Sequence, residues 1–213
     1  MKRMLLTLFL GLITTFAVWY GFNSPAETRE PLNAAQPSLA SATVFRQAQP
    51  LDTFSLTDTS EKPFTNKELK GHWTLLFFGY AHCPETCPKA LSIASDFWKK
   101  LPVSISREKT RFVFITLNPQ ADKVNDLKLF LNRFSTEFIG LTGEASEINK
   151  LAKSCRVYSF EDPKPNAAGQ KVIDHTAAFI LINPEGRMQA LFSPPYDSTS
   201  IAQDLTTLIL ERK

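Results

Sequence analysis

The chain has 213 residues, 43% hydrophobic and 21% charged, with 17 phenylalanines and a formal net charge of +3. This is material for one buried core plus additional segments, and it excludes a purely disordered tail. The near-balanced charge provides no basic footprint for nucleic acid, and no internal repeat is present.

The first segment is "MKRM", a basic stretch running into Met4–Phe22, 19 residues without a charge. As a helix that run spans about 28 Å, close to the thickness of a bilayer core. Cleaved signals have a shorter apolar stretch and a small-x-small exit, whereas the exit here is "NSPAETRE". Residues 1–22 are therefore expected to be a membrane anchor, with a cleaved signal as the alternative. Lys2 and Arg3 would keep the N-terminus in the cytoplasm, and Trp19 and Tyr20 suit the outer interface. The rest of the chain then lies outside, in a bacterial periplasm or an equivalent compartment. Residues 23–49, rich in Pro, Ala, Ser and Gln, are expected to be a flexible tether, leaving 50–213 as the folded domain.

Within the domain, "LDTFSLTDTSEKPFT" predicts a short hairpin. "TNKE", Thr65 to Glu68, is a capping box opening a brief helix that Gly71 closes. "HWTLLFFGY" is a bulky apolar run too short for a buried helix, hence a central strand. "KALSIASDFWKKL" has helical spacing, so "GYAHCPETCP" between them occupies a strand-to-helix turn, with Pro88 in the first helical turn. A second strand, "RFVFITLNP", leads to a helix over "DKVNDLKLFLNRF" with Val124, Leu127, Phe130 and Leu131 on one face. "FIGLTG" is a short strand, "EASEINKLAKS" a helix, and "CRVYSF" a strand or its approach. The polar loop "EDPKPNAAGQK" precedes "DHTAAFIL", and "AAFILINPEGRMQALFS" reads as two strands around the turn "NPEG". The C-terminal helix is begun by Ser198 or Ser200. Alternating strands and helices indicate an α/β fold with a central mixed sheet flanked by helices. A strand, a cysteine-bearing turn and a helix is the thioredoxin-like arrangement.

Cys83 and Cys87 lie four apart at a helix start, where both side chains can share a face. A helix N-terminus favours the thiolate, which is both nucleophile and metal ligand. A disulfide is also possible, although a five-residue loop has little closure entropy to remove and so stabilises little. Spacing alone leaves redox and metal chemistry both open. His72 reads as an exposed turn residue and His82 as a group lining the approach to the cysteines. His175, at the mouth of a buried strand, follows a loop long enough to fold it over the cysteine turn. Cys155 reads as a small buried hydrophobe rather than a partner thiol.

"GYAHCPETCP" followed about ninety residues later by "DHTAAFIL" resembles the Sco/SenC family of copper-binding thioredoxin-like proteins, over about Pro50 to Lys213. The resemblance implies one copper ion, Cu(I) or Cu(II), held by Cys83, Cys87 and His175, with the histidine carried after an inserted loop. It also implies a role in assembling the binuclear copper centre of cytochrome c oxidase subunit II, by copper donation, by reduction of its cysteines, or both. Asp174 and His82 are expected to support the ligands from behind. The donor of the copper and the reductant of the thiols are unnamed by the sequence. Soft thiolates suit Cu(I) and imidazole accepts either oxidation state, while zinc is chemically allowed. One departure stands out: Asn118-Pro119 occurs where the family usually has Asp-Pro. A metal-independent thiol–disulfide oxidoreductase, with Cys83 and Cys87 catalytic, and a copper or redox sensor are the alternative functions.

Overall fold

The computed structural model describes residues 39–105, 108–165 and 171–211. The expected anchor, most of the expected tether and the middle of the inserted loop lie outside these residues. Ten strands and five helices follow in order: β1 Ala42–Pro50, β2 Ser55–Asp58, β3 Pro63–Thr65, α1 Asn66–Leu69, β4 Trp73–Gly79, α2 Thr86–Lys100, β5 Thr110–Thr116, α3 Val124–Asn132, β6 Ile139–Thr142, α4 Ala145–Ser154, β7 Ser159–Glu161, β8 Ile173–His175, β9 Phe179–Ile182, β10 Arg187–Phe192 and α5 Ser198–Glu211.

Eight strands form one mixed sheet, ordered β1-β10-β9-β4-β5-β6-β2-β3. β4, β5 and β6 run parallel, and the other pairings are antiparallel. Every residue of β4 is buried, because a central parallel strand is covered on both faces. Its side chains alternate between two cores. Leu75 and Phe77 join Phe112 and Phe114 of β5 on the face covered by α2, α3 and α5. Leu76 and Phe78 join Val113 and Ile115 on the face covered by α1 and α4. The period-two placement is what a two-sided strand requires.

Most sequence expectations hold, including the β2–β3 hairpin and the Thr65–Glu68 capping box. Gly71 adopts φ +77°, which suits glycine after a helix. The last helix begins at Ser198, as expected, just after Asp197, whose carboxylate accepts from the backbone N–H and hydroxyl of Ser200. Two differ. Residues 42–49, expected in the tether, form most of β1, which pairs with β10 and extends the sheet. Sequence composition missed this strand because its pairing partner lies about 140 residues away. His175 is not at the mouth of the buried strand β9. It ends β8, which pairs with β7 in a separate two-stranded ribbon registered Ser159 with His175 and Glu161 with Ile173.

Candidate metal centre

The cysteine turn lies at the carboxyl end of β4, beside the end of β5. In open α/β sheets the crevice for ligands is found outside the carboxyl ends of the strands. Only Cys87 is inside α2, as its second residue; Cys83 is in the turn before it. The backbone N–H of Cys87 donates to the sulfur of Cys83 at 3.3 Å. That sulfur therefore acts as a cap, satisfying one of the free N–H groups at the helix start. The two cysteines meet through this cap rather than as neighbours on a regular helical face.

The two thiols titrate apart. A hydrogen bond from Cys87, joined by backbone N–H groups of Cys87 and Glu85, brings the Cys83 thiol down to about 5. The same hydrogen bond and near-complete burial push the Cys87 thiol up. The shared hydrogen bond thus favours the thiolate on Cys83 and the proton on Cys87. Both are free thiols.

The ribbon brings His175 onto this pair. Its Nε2 is 3.6 Å from the sulfur of Cys87. Its Nδ1 donates to the carbonyl of Thr176 at 3.2 Å, which leaves the Nε2 lone pair directed at the sulfurs. Burial lowers its pKa, so the imidazole is neutral and available as a donor atom. The ring of Phe77 meets it edge-on at 6.0 Å. Cys83, Cys87 and His175, 88 residues apart between the last two, are thus in one place. Cys87 contacts both of the others, through its backbone N–H to Cys83 and its sulfur to His175, and among the described residues no group of three or more His, Cys, Asp or Glu side chains is already arranged to hold a metal ion.

The supporting residues differ from expectation. Asp174 is exposed, and the Nδ1 partner of His175 is the Thr176 carbonyl instead. Adjacent residues on a strand point to opposite faces, which directs Asp174 away from the site. His82 turns away from the sulfurs toward Asp122, at 3.2 Å, and with Asn118, Gln120, Ala121 and Lys171 lines a cavity of about 460 Å³.

Asp122 is the residue that sequence reasoning missed. It is fully buried, and its carboxylate accepts from the Ala81 N–H at 2.8 Å and the Thr116 hydroxyl at 2.6 Å. A buried carboxylate needs such partners, and here they fasten the cysteine turn to the end of β5. The turn that delivers it is closed by the Asn118 carbonyl, which accepts from the Ala121 and Asp122 N–H groups. Asn118 therefore serves this turn through its backbone, whatever its side chain. No local pattern marks Asp122, since its partners are 41 residues away or in a different element.

The SCO1/SenC family profile matches residues 45–210. A putative copper-binding protein of Stutzerimonas stutzeri is 30% identical over 156 residues, 73% of this chain and 75% of that protein. Mitochondrial protein SCO2 of Saccharomyces cerevisiae is 36% identical over 149 residues, 69% of this chain. The chain spans about half the length of the mitochondrial relatives SCO2 of yeast and of Danio rerio. The structure of copper-bound ScoI from Bradyrhizobium japonicum superposes with a TM-score of 0.66 at 34% identity, covering 74% of this chain and 98% of that one. A match over most of the folded domain, a shared fold and the paired cysteine and histidine motifs converge, and the chain belongs to the SCO1/SenC family.

Proposed function

We propose that the protein is a copper chaperone, tethered to a membrane with its domain outside the cytoplasm. It holds one copper through Cys83, Cys87 and His175 for delivery to the binuclear centre of cytochrome c oxidase subunit II. The observation that carries this reading is the approach of Nε2 to the Cys87 sulfur. For metal bonds of about 2.3 Å to sulfur and 2.0 Å to nitrogen, two ligands roughly 120° apart sit about 3.7 Å from each other. The 3.6 Å separation is close to that value. Two thiolates with a neutral imidazole form a donor set suited to copper. Three donors leave a side on which an acceptor's ligand can bind and take the cargo. Among the described residues no helix is long and apolar enough to cross a membrane. The tether therefore rests on Met4–Phe22, and the oxidase role on the family resemblance and on the copper-binding relatives.

The unequal thiols favour a second reading. A stabilised thiolate backed by a more deeply buried thiol that favours its proton is also the arrangement of a thiol–disulfide reductase. The two readings separate at His175. The full-length reduced chain is offered Cu(I) and Zn(II) together, then Cu(II). One copper per chain is expected, with Cu(II) affinity falling at least 10–100-fold in His175→Ala and Cu(I) affinity falling less, because both thiolates remain. Reduction of a small disulfide should be unaffected by the same change. Unchanged Cu(II) affinity in His175→Ala would remove the imidazole from the site and leave the reductase.

A further inference from the structure

Two tyrosine hydroxyls hold the backbone on either side of His175. Tyr80, at the carboxyl end of β4, is almost wholly buried. Its hydroxyl accepts from the N–H of Ile173, two residues before the histidine, at 3.4 Å. Tyr196, between β10 and α5, donates to the carbonyl of Ala177, two residues after the histidine, at 2.7 Å. The Tyr196 ring packs on Phe179 at 4.7 Å, and Phe179 packs on Phe77, the ring that meets the imidazole. Burial raises the pKa of both phenols, so both keep their protons across the neutral range.

The ribbon that carries His175 needs outside support. Its strands have three residues each, all three of β7 are exposed, and a lone two-stranded ribbon is marginal in water. Ile173 is its plug into the main core, beside Tyr80 and both site cysteines. A ligand must be held to within about 0.5 Å and 10–20° to favour one metal geometry over another.

We propose that Tyr80 and Tyr196 are positioning residues for His175, gripping the chain two residues before and two after the imidazole and so setting the distance from Nε2 to the Cys87 sulfur. This rests on the three-donor site above. Tyr80 lies in the core beside both cysteines, whereas Tyr196 makes its hydrogen bond to the far side of the ribbon and so isolates the positioning effect.

The test uses the full-length reduced chain with Cu(I) and Cu(II) as probes. Tyr80→Phe, Tyr196→Phe, their double variant, His175→Ala and the triple variant are compared. Phenylalanine keeps the ring packing and removes only the hydroxyl. About a 10-fold loss of Cu(II) affinity is expected for each single change, with an altered Cu(II) electron paramagnetic resonance spectrum and a much smaller change for Cu(I). In the metal-free protein, the Ile173 amide should exchange faster in Tyr80→Phe. Adding the tyrosine changes to His175→Ala should cost nothing further. Wild-type Cu(II) affinity and spectrum in Tyr196→Phe would overturn the proposal. So would equal losses with and without His175, which would mark a general effect on the fold. Should His175→Ala itself bind Cu(II) like wild type, the three-donor site fails, and that failure is read separately from the tyrosines.

Discussion

At the residue scale the three cysteines have different environments and different chemistry. Hydrogen bonds at the helix start favour the thiolate of Cys83, whereas Cys155 is 1% exposed and lies in the core on the opposite face of the sheet from Cys83 and Cys87. Burial pushes the Cys155 thiol up to about 12, from 9.0 when free. The folded state therefore prefers the neutral thiol. That preference is fully present below about pH 9 and is lost as pH rises through about 12. Denaturant unfolding at pH 7.5 and 10.5 should show a shallower alkaline decline in Cys155→Ala than in wild type. The same variant should bind one copper, since the sheet separates Cys155 from the site. Loss of that copper, or an identical alkaline slope, would contradict this account.

At the element scale, β4 and α2 are joined so closely that a glycine is required where they meet. A Cβ on Gly79 would stand 2.8 Å from the Cys87 sulfur and 3.0 Å from the Phe114 ring. The Phe114 ring is fully buried, and the sulfur is held by Cys83 and His175, so neither can yield freely. Gly79→Ala should therefore displace the sulfur and cost about 1–3 kcal/mol of stability through overpacking. Copper affinity should fall in parallel, for Cu(I) as well as Cu(II), because a thiolate rather than the imidazole moves. Equilibrium unfolding and copper titration check this, and a Cu(I) affinity equal to wild type would show that the site absorbs the extra methyl.

At the scale of the whole domain, the point where the N-terminal segment joins the sheet is clamped by the last helix. The buried carboxylate of Asp204 in α5 accepts from the N–H groups of Ala40, Ser41 and Ala42 and from the Ser41 hydroxyl, at 2.7–3.1 Å. Three backbone donors on one carboxylate form a strong charge-assisted cluster. Asp204→Ala should cost about 2–3 kcal/mol and speed amide exchange across residues 40–44. Copper affinity should be unchanged, because β10 and β9 lie between β1 and β4, although the start of β1 and the end of β4 share one edge of the sheet. Exchange no faster than wild type at 40–44 would show that pairing of β1 with β10 holds the segment without the clamp.

The sequence by itself determined the elements whose signals are local. The β4 run, the capping box at Thr65, the strand-to-helix turn bearing Cys83 and Cys87, and the "NPEG" hairpin all depend on near neighbours and on the periods of strand and helix. The paired motifs also singled out His175 and the family before any fold was in view. Tertiary structure alone decided the rest. β1 is a strand because β10 offers an edge, and within Ala42–Pro50 only Thr43, Val44 and Phe45 give a local sign of it. Asp122 matters because folding brings it under Ala81, while Asp174 is exposed and acts on His175 through its charge. The grip of Tyr80 and Tyr196 on the histidine ribbon joins residues 93 and 19 apart. Hydrogen bonds of that kind form only after the chain has closed its long loops, so a pattern read along the sequence carries no trace of them.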